Sequence, residues 1–183
     1  MKITFVRHSQ TILQPEVPNP LWQLSDEGIQ LSQELSKNGA IKDLDVIYSS
    51  LQTKALQTTL LLAKDNHIPI KTHSDLTELT SITIKFFSDY EEKVKALYTG
   101  EIDQINGGET IEEGKTRLNK AIEEIANTEE PENIGIVAHG NILSIFASQF
   151  VDKTAYEIHQ QIQMPDYAIF DYDAKKFLKF YGE

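Results

Sequence analysis

Short apolar runs alternate with segments of helical periodicity along most of the chain, and this alternation constrains the fold more than any other feature. The apolar runs predict strands over residues 3–6, 44–48, 68–72, 133–138, 167–172 and 177–181. Apolar residues spaced three and four apart predict helices over residues 26–37, 51–64, 88–98, 109–126 and 142–151. Such alternation is typical of α/β proteins, so we expect a three-layer α/β fold with a mainly parallel sheet flanked by helices.

Length and composition narrow the classes of protein to which the chain could belong. Its 183 residues, 40% of them hydrophobic, suit one soluble domain over residues 1–183. A net charge of −11 disfavours nucleic-acid and membrane partners, although a small anionic ligand could still bind in a local pocket. The absence of cysteine excludes thiol catalysis. We expect a cytoplasmic location, and the sequence leaves the oligomeric state open, a homodimer included.

Polar residues follow three of the predicted strands at the point where each strand ends. Arg7 and His8 follow the first strand, Ser50 the second, and His139 and Gly140 a third. Ligands bind beyond the carboxyl ends of parallel strands, and the helix that Gly140 begins favours an anion at its N-terminus. Arg7 is one of only two arginines among 17 basic side chains, and its planar fork suits phosphate or carboxylate. The sequence therefore predicts an anion site at this edge.

Two imidazoles beside an arginine are suited to phosphoryl transfer. An imidazole can form a covalent intermediate, and the remaining work is mostly positioning and stabilisation of charge on the phosphoryl oxygens. Such a site still needs a proton donor for the leaving group, usually a carboxylic acid.

Six short segments occur in a fixed order between residues 6 and 140. They are Val6-Arg7-His8-Ser9-Gln10-Thr11, Leu24-Ser25 with Gly28, the run from Ser49 to Thr58, Leu76-Thr77-Glu78, Gly108-Glu109-Thr110 with Arg117, and Val137-Ala138-His139-Gly140. In this order they resemble the histidine phosphatase superfamily, which is also called phosphoglycerate mutase-like.

The resemblance implies the phosphoglycerate mutase-like fold and a metal-independent phosphatase that acts on a small phosphorylated metabolite without a cofactor. It implies that His8 accepts the phosphoryl group and that Glu78 first protonates the leaving oxygen and then activates water. It implies that His139 is a third catalytic residue, which helps to hold the phosphoryl oxygens. It also implies substrate contacts from Arg7, Ser9, Gln14, Lys54 and the backbone N–H of Gly140.

The chain departs from the family pattern at several of these positions. Ser9 replaces a glycine, and its hydroxyl either fills space or binds phosphate. Gln14 stands where many members have asparagine. Lys54 replaces an arginine, and it either faces the pocket or lies on a helix surface. Residues 80–87 replace a Gly-x-Trp-Glu-Gly stretch. Two alternatives to a phosphatase therefore stay open: a phosphoglycerate mutase-type phosphotransferase and a catalytically weak member that binds a phosphorylated ligand.

Other residues that could carry chemistry have simpler explanations. We expect Arg117 to pair with an acid on its own helix or a neighbour, and His67, His73 and His159 to be exposed. Trp22 and the pair at residues 86–87 either wall the pocket or pack in the core. The acidic run over residues 129–132 is typical of a solvated turn.

Overall fold

A computed structural model describes residues 1–80, 89–128 and 131–183. Within these ranges six strands form: β1 (Lys2–Arg7), β2 (Val46–Ser49), β3 (Ile70–Thr72), β4 (Asn133–Ala138), β5 (Asp166–Asp171) and β6 (Lys176–Lys179). Seven α-helices accompany them: α1 (Asp26–Leu35), α2 (Gly39–Lys42), α3 (Thr53–Lys64), α4 (Tyr90–Thr99), α5 (Ile111–Thr128), α6 (Gly140–Ala147) and α7 (Ala155–Gln161). The stretch at 81–87, with Phe86 and Phe87, and residues 129–130 of the acidic run lie outside the described residues.

All six strands belong to one sheet in the order β3-β2-β4-β1-β5-β6. The neighbours β3, β2, β4 and β1 pair in parallel, whereas β5 pairs antiparallel with β1 and β6 antiparallel with β5. The connection between β5 and β6 spans only residues 172–175, and a parallel crossover needs a dozen residues or more. The predicted α/β class is thus confirmed, with an antiparallel hairpin at one side of the sheet.

Helices cover both faces of the sheet, as the three-layer prediction requires. Successive residues of β1 point to opposite faces: Phe5 packs in a large cluster with α5, α6 and α7, and Val6 packs in a smaller cluster with α3. The predicted stripe on α5 is buried in the larger cluster through Leu118, Ile122 and Ile125. In the described ranges no helix combines the length and the apolar character that crossing a lipid bilayer requires.

The ends of some elements differ from their predicted positions. Helix α6 begins at Gly140 and ends at Ala147, four residues before the predicted end. The short helix α2 was not predicted, because four residues give no periodicity; Asn38 caps it by accepting a hydrogen bond from the Ala40 N–H. Helix α7 begins with a capping box in which Thr154 and Glu157 bind each other's backbone N–H.

The register of the sheet sets the positions of the residues that follow its strands. Arg7 lies opposite Ala138 in the parallel pair of β1 with β4, and the N–H of His8 donates to the carbonyl of Ala138 at 3.0 Å. The N–H of Ser50 donates to the carbonyl of Val137, also at 3.0 Å. The residues that follow β1, β2 and β4 therefore leave the sheet side by side.

Gly28 allows α1 to pack directly on the segment that follows His8. A β-carbon at Gly28 would lie 3.0 Å from the backbone carbonyl carbon of Gln10 and closer still to its oxygen. We expect Gly28→Ala to lower the free energy of unfolding by about 1–3 kcal/mol, because the backbone would have to shift. The measurement is urea denaturation followed by circular dichroism.

The matched control is Gly39→Ala, because no atom lies within 4 Å of a β-carbon built there. It should leave stability unchanged or raise it by up to about 1 kcal/mol. Equal unfolding midpoints for the two variants would contradict the packing role of Gly28.

Candidate active site

A cavity of about 400 Å³ lies at the edge of the sheet where β1, β2 and β4 end. Five of the eight predicted site residues line it: Arg7, His8, Lys54, Glu78 and Gly140. His139, Ser9 and Gln14 do not belong to its lining. The cavity thus lies at the edge of the sheet where the strand-end argument predicted a site.

His8 is buried and held in one tautomer. Its Nδ1 lies 2.8 Å from the carbonyl oxygen of Ser9, and since a carbonyl can only accept, Nδ1 carries the proton. The other ring nitrogen, Nε2, then has a free lone pair. Burial, and next the charges of Lys54 and Arg7, hold the pKa of His8 well below its ordinary value, against a smaller opposing effect of the Ser9 carbonyl. The ring is therefore neutral near pH 7, with the lone pair on Nε2.

His139 lies behind His8, fully buried. The two ring centroids are 5.1 Å apart, and the ring planes are inclined by 59°. Nε2 of His139 lies 2.8 Å from the hydroxyl of Ser50, whereas its Nδ1 is buried without a hydrogen-bond partner. Burial, followed by the charges of His8, Lys54 and Arg7, holds the pKa of His139 well below its ordinary value. Ser50 thus orients this ring, a role that the sequence did not reveal.

The guanidinium of Arg7 packs against the backbone of Gly140. A β-carbon at Gly140 would lie 2.9 Å from Cζ of Arg7 and 3.0 Å from Nε and Nη2, so a side chain at position 140 would displace the guanidinium. Nη1 donates to the carbonyl of Ile162 at 2.6 Å, while Nε is buried without a partner. Burial is the main reason that the pKa of Arg7 is lowered. A donor without a partner, beside two imidazoles, suits an oxyanion.

Lys54 faces the cavity from the first turn of α3 and does not lie on the helix surface. Its side chain is buried, and Nζ lies 2.6 Å from Oδ1 of Asn19 and 5.8 Å from the centre of the Trp22 ring. Burial lowers the pKa of Lys54 to about 8, with Glu78 raising it and Arg7 lowering it further. The position that carries arginine in the family therefore supplies a cation here as well.

Glu78 occupies the N-terminus of α6. Its Oε1 accepts from the N–H groups of Leu79 and Ile142, both at 2.9 Å. Its Oε2 accepts from the N–H of Asn141 at 3.0 Å and from the Asn141 side-chain amide at 3.2 Å. The sequence predicted that the N-terminus of α6 would bind an anionic ligand. In the structure the Glu78 carboxylate takes that place, because the free N–H groups of the first helical turn favour negative charge.

Arg117 holds the loop that carries Glu78. Its Nε and Nη2 bind the Glu109 carboxylate at 2.6 and 2.8 Å, which confirms the predicted pairing with an acid. Nη1 and Nη2 also donate to the carbonyls of Asp75, Thr77 and Glu78, at 2.6, 3.1 and 3.3 Å. Although burial raises the pKa of Glu109, the hydrogen bonds from Arg117 and Thr80 bring it below its ordinary value.

Ser9 and Gln14, both predicted to contact substrate, lie elsewhere. The hydroxyl of the fully buried Ser9 donates to the carbonyl of Gly28 at 2.8 Å, so it bonds to the backbone of α1, away from the cavity. Gln14 does not line the cavity, but its backbone carbonyl accepts a hydrogen bond from Nε1 of Trp22 at 3.0 Å. The side-chain amides that line the cavity belong to Asn19, Gln52 and Asn141, and Trp22 is both buried and part of the cavity wall.

The histidines outside the pair occupy different environments. His159 was expected on a helix surface, but α7 packs on α6 and α4, and His159 lines the cavity with its ring 5.7 Å from that of Tyr98. Its Nδ1 is buried without a partner, and burial lowers its pKa. His67 is exposed, as expected. His73 is partly buried, with Nε2 3.3 Å from Glu124. Across the described ranges no three candidate metal ligands form a cluster.

Three residues that sequence analysis missed form a hydrogen-bonded group at the Glu78 carboxylate: Asn141, Tyr90 and Tyr98. Besides binding Glu78, the Asn141 amide donates to the hydroxyl of Tyr90 at 2.8 Å, and the hydroxyl of Tyr98 lies 3.2 Å from Oδ1 of Asn141. The sequence offered one indication of a role for Asn141, its position directly after His139-Gly140.

Solved structures of similar fold are numerous, and three illustrate the likeness. Bacillus stearothermophilus YhfR has a TM-score of 0.79 and 20% identity over 99% of this chain and 96% of that chain. The mycobacterial glucosyl-3-phosphoglycerate phosphatase has a TM-score of 0.74 and 15% identity, with 100% and 99% covered. The α-ribazole phosphatase of Shigella flexneri has a TM-score of 0.69 and 17% identity, with 99% and 95% covered.

No curated protein sequence matches the chain. At identities of 20% or less, the structural likeness shows a shared fold. The family model is more specific, because the model of the histidine phosphatase superfamily (branch 1) matches residues 3–178. The chain therefore belongs to the histidine phosphatase superfamily.

Proposed function

We propose that this chain hydrolyses a small phosphomonoester through a phosphohistidine at Nε2 of His8. The observation that carries the proposal is the environment of His8: its Nδ1 is 2.8 Å from the Ser9 carbonyl, and its ring lies 5.1 Å from that of His139 in a cavity that also contains Arg7 and Lys54. A neutral imidazole with a fixed lone pair can act as the nucleophile in phosphoryl transfer.

In the first step, Nε2 of His8 attacks phosphorus, and the bond from phosphorus to the alcohol oxygen breaks. Arg7 and Lys54 offset the charge on the phosphoryl oxygens, since both are buried cations in the same cavity. Nε of Arg7, which lines the cavity, has no hydrogen-bond partner and is available to these oxygens. Nδ1 of His139 also has no partner, but His139 is fully buried and lies outside the cavity lining. Most of the rate enhancement would come from this positioning and charge stabilisation.

Proton transfer is assigned to Glu78. This carboxyl group lines the cavity, and its charge raises the pKa of both Arg7 and Lys54. Glu78 is therefore close enough to interact electrostatically with the two cations assigned to the phosphate. In the first step its protonated form gives a proton to the leaving alcohol oxygen. In the second step it takes a proton from water, which attacks phosphorus and breaks the bond to Nε2. The products are the alcohol and inorganic phosphate, and His8 is restored.

The two alternatives left open by the sequence make different demands. A mutase must hold a substrate with further anionic groups, yet among the described residues that line the cavity the arginine and lysine side chains are Arg7 and Lys54, both assigned to one phosphate. A protein that only binds its ligand would not form a covalent intermediate. The family match and the phosphatases among the structural neighbours also support hydrolysis.

We expect His8→Ala to reduce phosphate release from p-nitrophenyl phosphate by on the order of 10³-fold or more, because the nucleophile is lost. Acid quenching of wild-type enzyme with ³²P-labelled substrate should trap phosphohistidine, and the variant should trap none. EDTA should leave both results unchanged.

The control for this variant is His67→Asn, since His67 is exposed and its φ of 53° is one that asparagine tolerates. It should retain wild-type activity. Wild-type rates for His8→Ala would refute the proposal, and tight phosphate binding without any trapped intermediate would favour the binding-only alternative.

The pKa of Lys54, about 8, predicts an alkaline limit on activity. As the pH rises through that value in the free enzyme, Lys54 loses its proton and its attraction for phosphate, so kcat/KM should fall by up to about tenfold per pH unit. Lys54→Arg should move the fall to higher pH, because arginine stays protonated.

Lys54→Met should lower kcat/KM at neutral pH and remove the alkaline limb. The measurement is kcat/KM for p-nitrophenyl phosphate from pH 6 to 10. An alkaline limb that is the same in all three proteins would show that another group titrates.

The acid role of Glu78 predicts a dependence on the leaving group. Glu78→Gln should lower kcat for an alkyl phosphate by about 10²-fold or more, because an alkoxide leaves poorly without a proton. It should lower kcat for p-nitrophenyl phosphate much less in the phosphorylation step, since nitrophenolate needs no proton. Single-turnover rates measure this step, and equal losses for both substrates would contradict the assignment.

A further inference from the structure

Apolar side chains make up a large part of the cavity lining. Six of the side chains that line it come from four separate parts of the chain: Leu13, Trp22, Leu79, Leu97, Ile105 and Met164. Trp22, Leu97 and Ile105 are largely buried, and the indole N–H of Trp22 donates to the carbonyls of Gln14 and Val17, at 3.0 and 2.9 Å. The face that such a wall offers to a ligand is hydrocarbon, which favours an apolar group over a hydrated one.

The charged groups of the cavity are distributed unevenly. Arg7 and Lys54 are the arginine and lysine side chains among its described lining, and the proposed function assigns both to one phosphate group. Three acids, Glu78, Glu91 and Glu109, also line it. Outside the phosphate end the described lining is therefore acidic or neutral.

The three carboxylates differ in their hydrogen-bond partners and in their exposure. Glu109 is bound by Arg117 through two hydrogen bonds, and Glu78 is bound at the N-terminus of α6. Glu91 lies exposed in the first turn of α4. Its charge acts across the cavity, because it raises the pKa of Arg7 and opposes the lowering of the pKa of His159. A second anionic group on a ligand would therefore meet the field of Glu91.

We propose that the site selects phosphomonoesters whose alcohol part is apolar and carries no second negative charge; this inference rests on the proposed phosphatase function. The phosphate dianion would be held by Arg7 and Lys54, and the alcohol would pack on the wall of Trp22, Leu97 and the other apolar residues. A carboxylate or second phosphate would lose hydration there and be repelled by Glu91 without a compensating cation from the described lining. His159 adds a polar nitrogen to this region without a permanent charge.

Three esters that differ only at the end remote from phosphorus test the charge discrimination: 4-ethylphenyl phosphate, 4-(carboxymethyl)phenyl phosphate and 4-(aminomethyl)phenyl phosphate. A methylene group separates each substituent from the ring, so the leaving groups are of similar reactivity. We expect kcat/KM for the carboxymethyl ester to be lower than that for the ethyl ester by about tenfold or more. The aminomethyl ester should be hydrolysed at least as well as the carboxymethyl ester.

Glu91→Gln should reduce the ratio between the ethyl and carboxymethyl esters several-fold. The matched control is Glu92→Gln, because Glu92 is the next residue of α4, is also exposed and does not line the cavity. It removes the same charge from the protein and should leave the ratio unchanged. Equal effects of the two substitutions would overturn the role of Glu91, since they would reflect net charge alone.

A second pair of substrates tests the proposed preference for an apolar alcohol part. Butyl phosphate should have a kcat/KM roughly fivefold or more above that of glycerol 1-phosphate, because its chain loses water on the apolar wall whereas two hydroxyl groups would lose hydration there. An equal or higher value for glycerol 1-phosphate would overturn this part of the inference.

Failure of this inference can be distinguished from failure of the proposed function. If His8→Ala abolishes turnover of all three aromatic esters while the wild-type ratio is near one, the substrate class is wrong and the phosphatase function stands. If His8→Ala retains turnover, the proposed function itself is wrong.

Discussion

The parallel pairing of β1 with β4 in a single register is the constraint on which the candidate site depends. Arg7 lies opposite Ala138, so His8 and His139 leave the sheet at the same level and their rings come within 5.1 Å. A shift by one residue would turn the side chains of the strand to the wrong face of the sheet. Because Phe5 and Val6 are both fully buried, on opposite faces, the two hydrophobic cores together oppose such a shift.

Burial of this edge gives its charged groups their chemical character. His8 and His139 are kept neutral mainly by desolvation, whereas Arg7 and Lys54 retain cationic side chains in the same low-dielectric surroundings. Two buried cations carry a desolvation penalty that the charge of Glu78 offsets only in part, since the pKa of each side chain stays lowered. An oxyanion placed among them would offset that penalty and accept a hydrogen bond from the unpartnered Nε of Arg7, as the proposed function requires.

Sequence reasoning located the edge of the sheet, because that argument depends only on where apolar runs stop. The sequence could not show whether Lys54 is exposed or faces the cavity. Helical periodicity predicts which residues of α3 share a face, but it does not predict that the face with Lys54 packs against the segment that carries Asn19. Sequence reasoning misplaced His159 for the same reason, because the contact of α7 with Tyr98 is tertiary. It also could not foresee that Glu78 would occupy the N-terminus of α6, because their separation in sequence hides the contact.

The departures from the family pattern are accommodated by local contacts that keep the geometry of the site. Ser9 fits where the family has glycine because its hydroxyl bonds to the Gly28 carbonyl, which faces the segment after β1 only because α1 packs closely there. Lysine at position 54 lacks the planar fork of arginine, but its flexible stem is fixed by the 2.6 Å contact with Asn19. A point charge held in this way can face an oxyanion with little loss of side-chain entropy on binding. Lysine in place of arginine at position 54 therefore has little effect on the shape of the pocket. Its main effect is that the positive charge can be lost by titration.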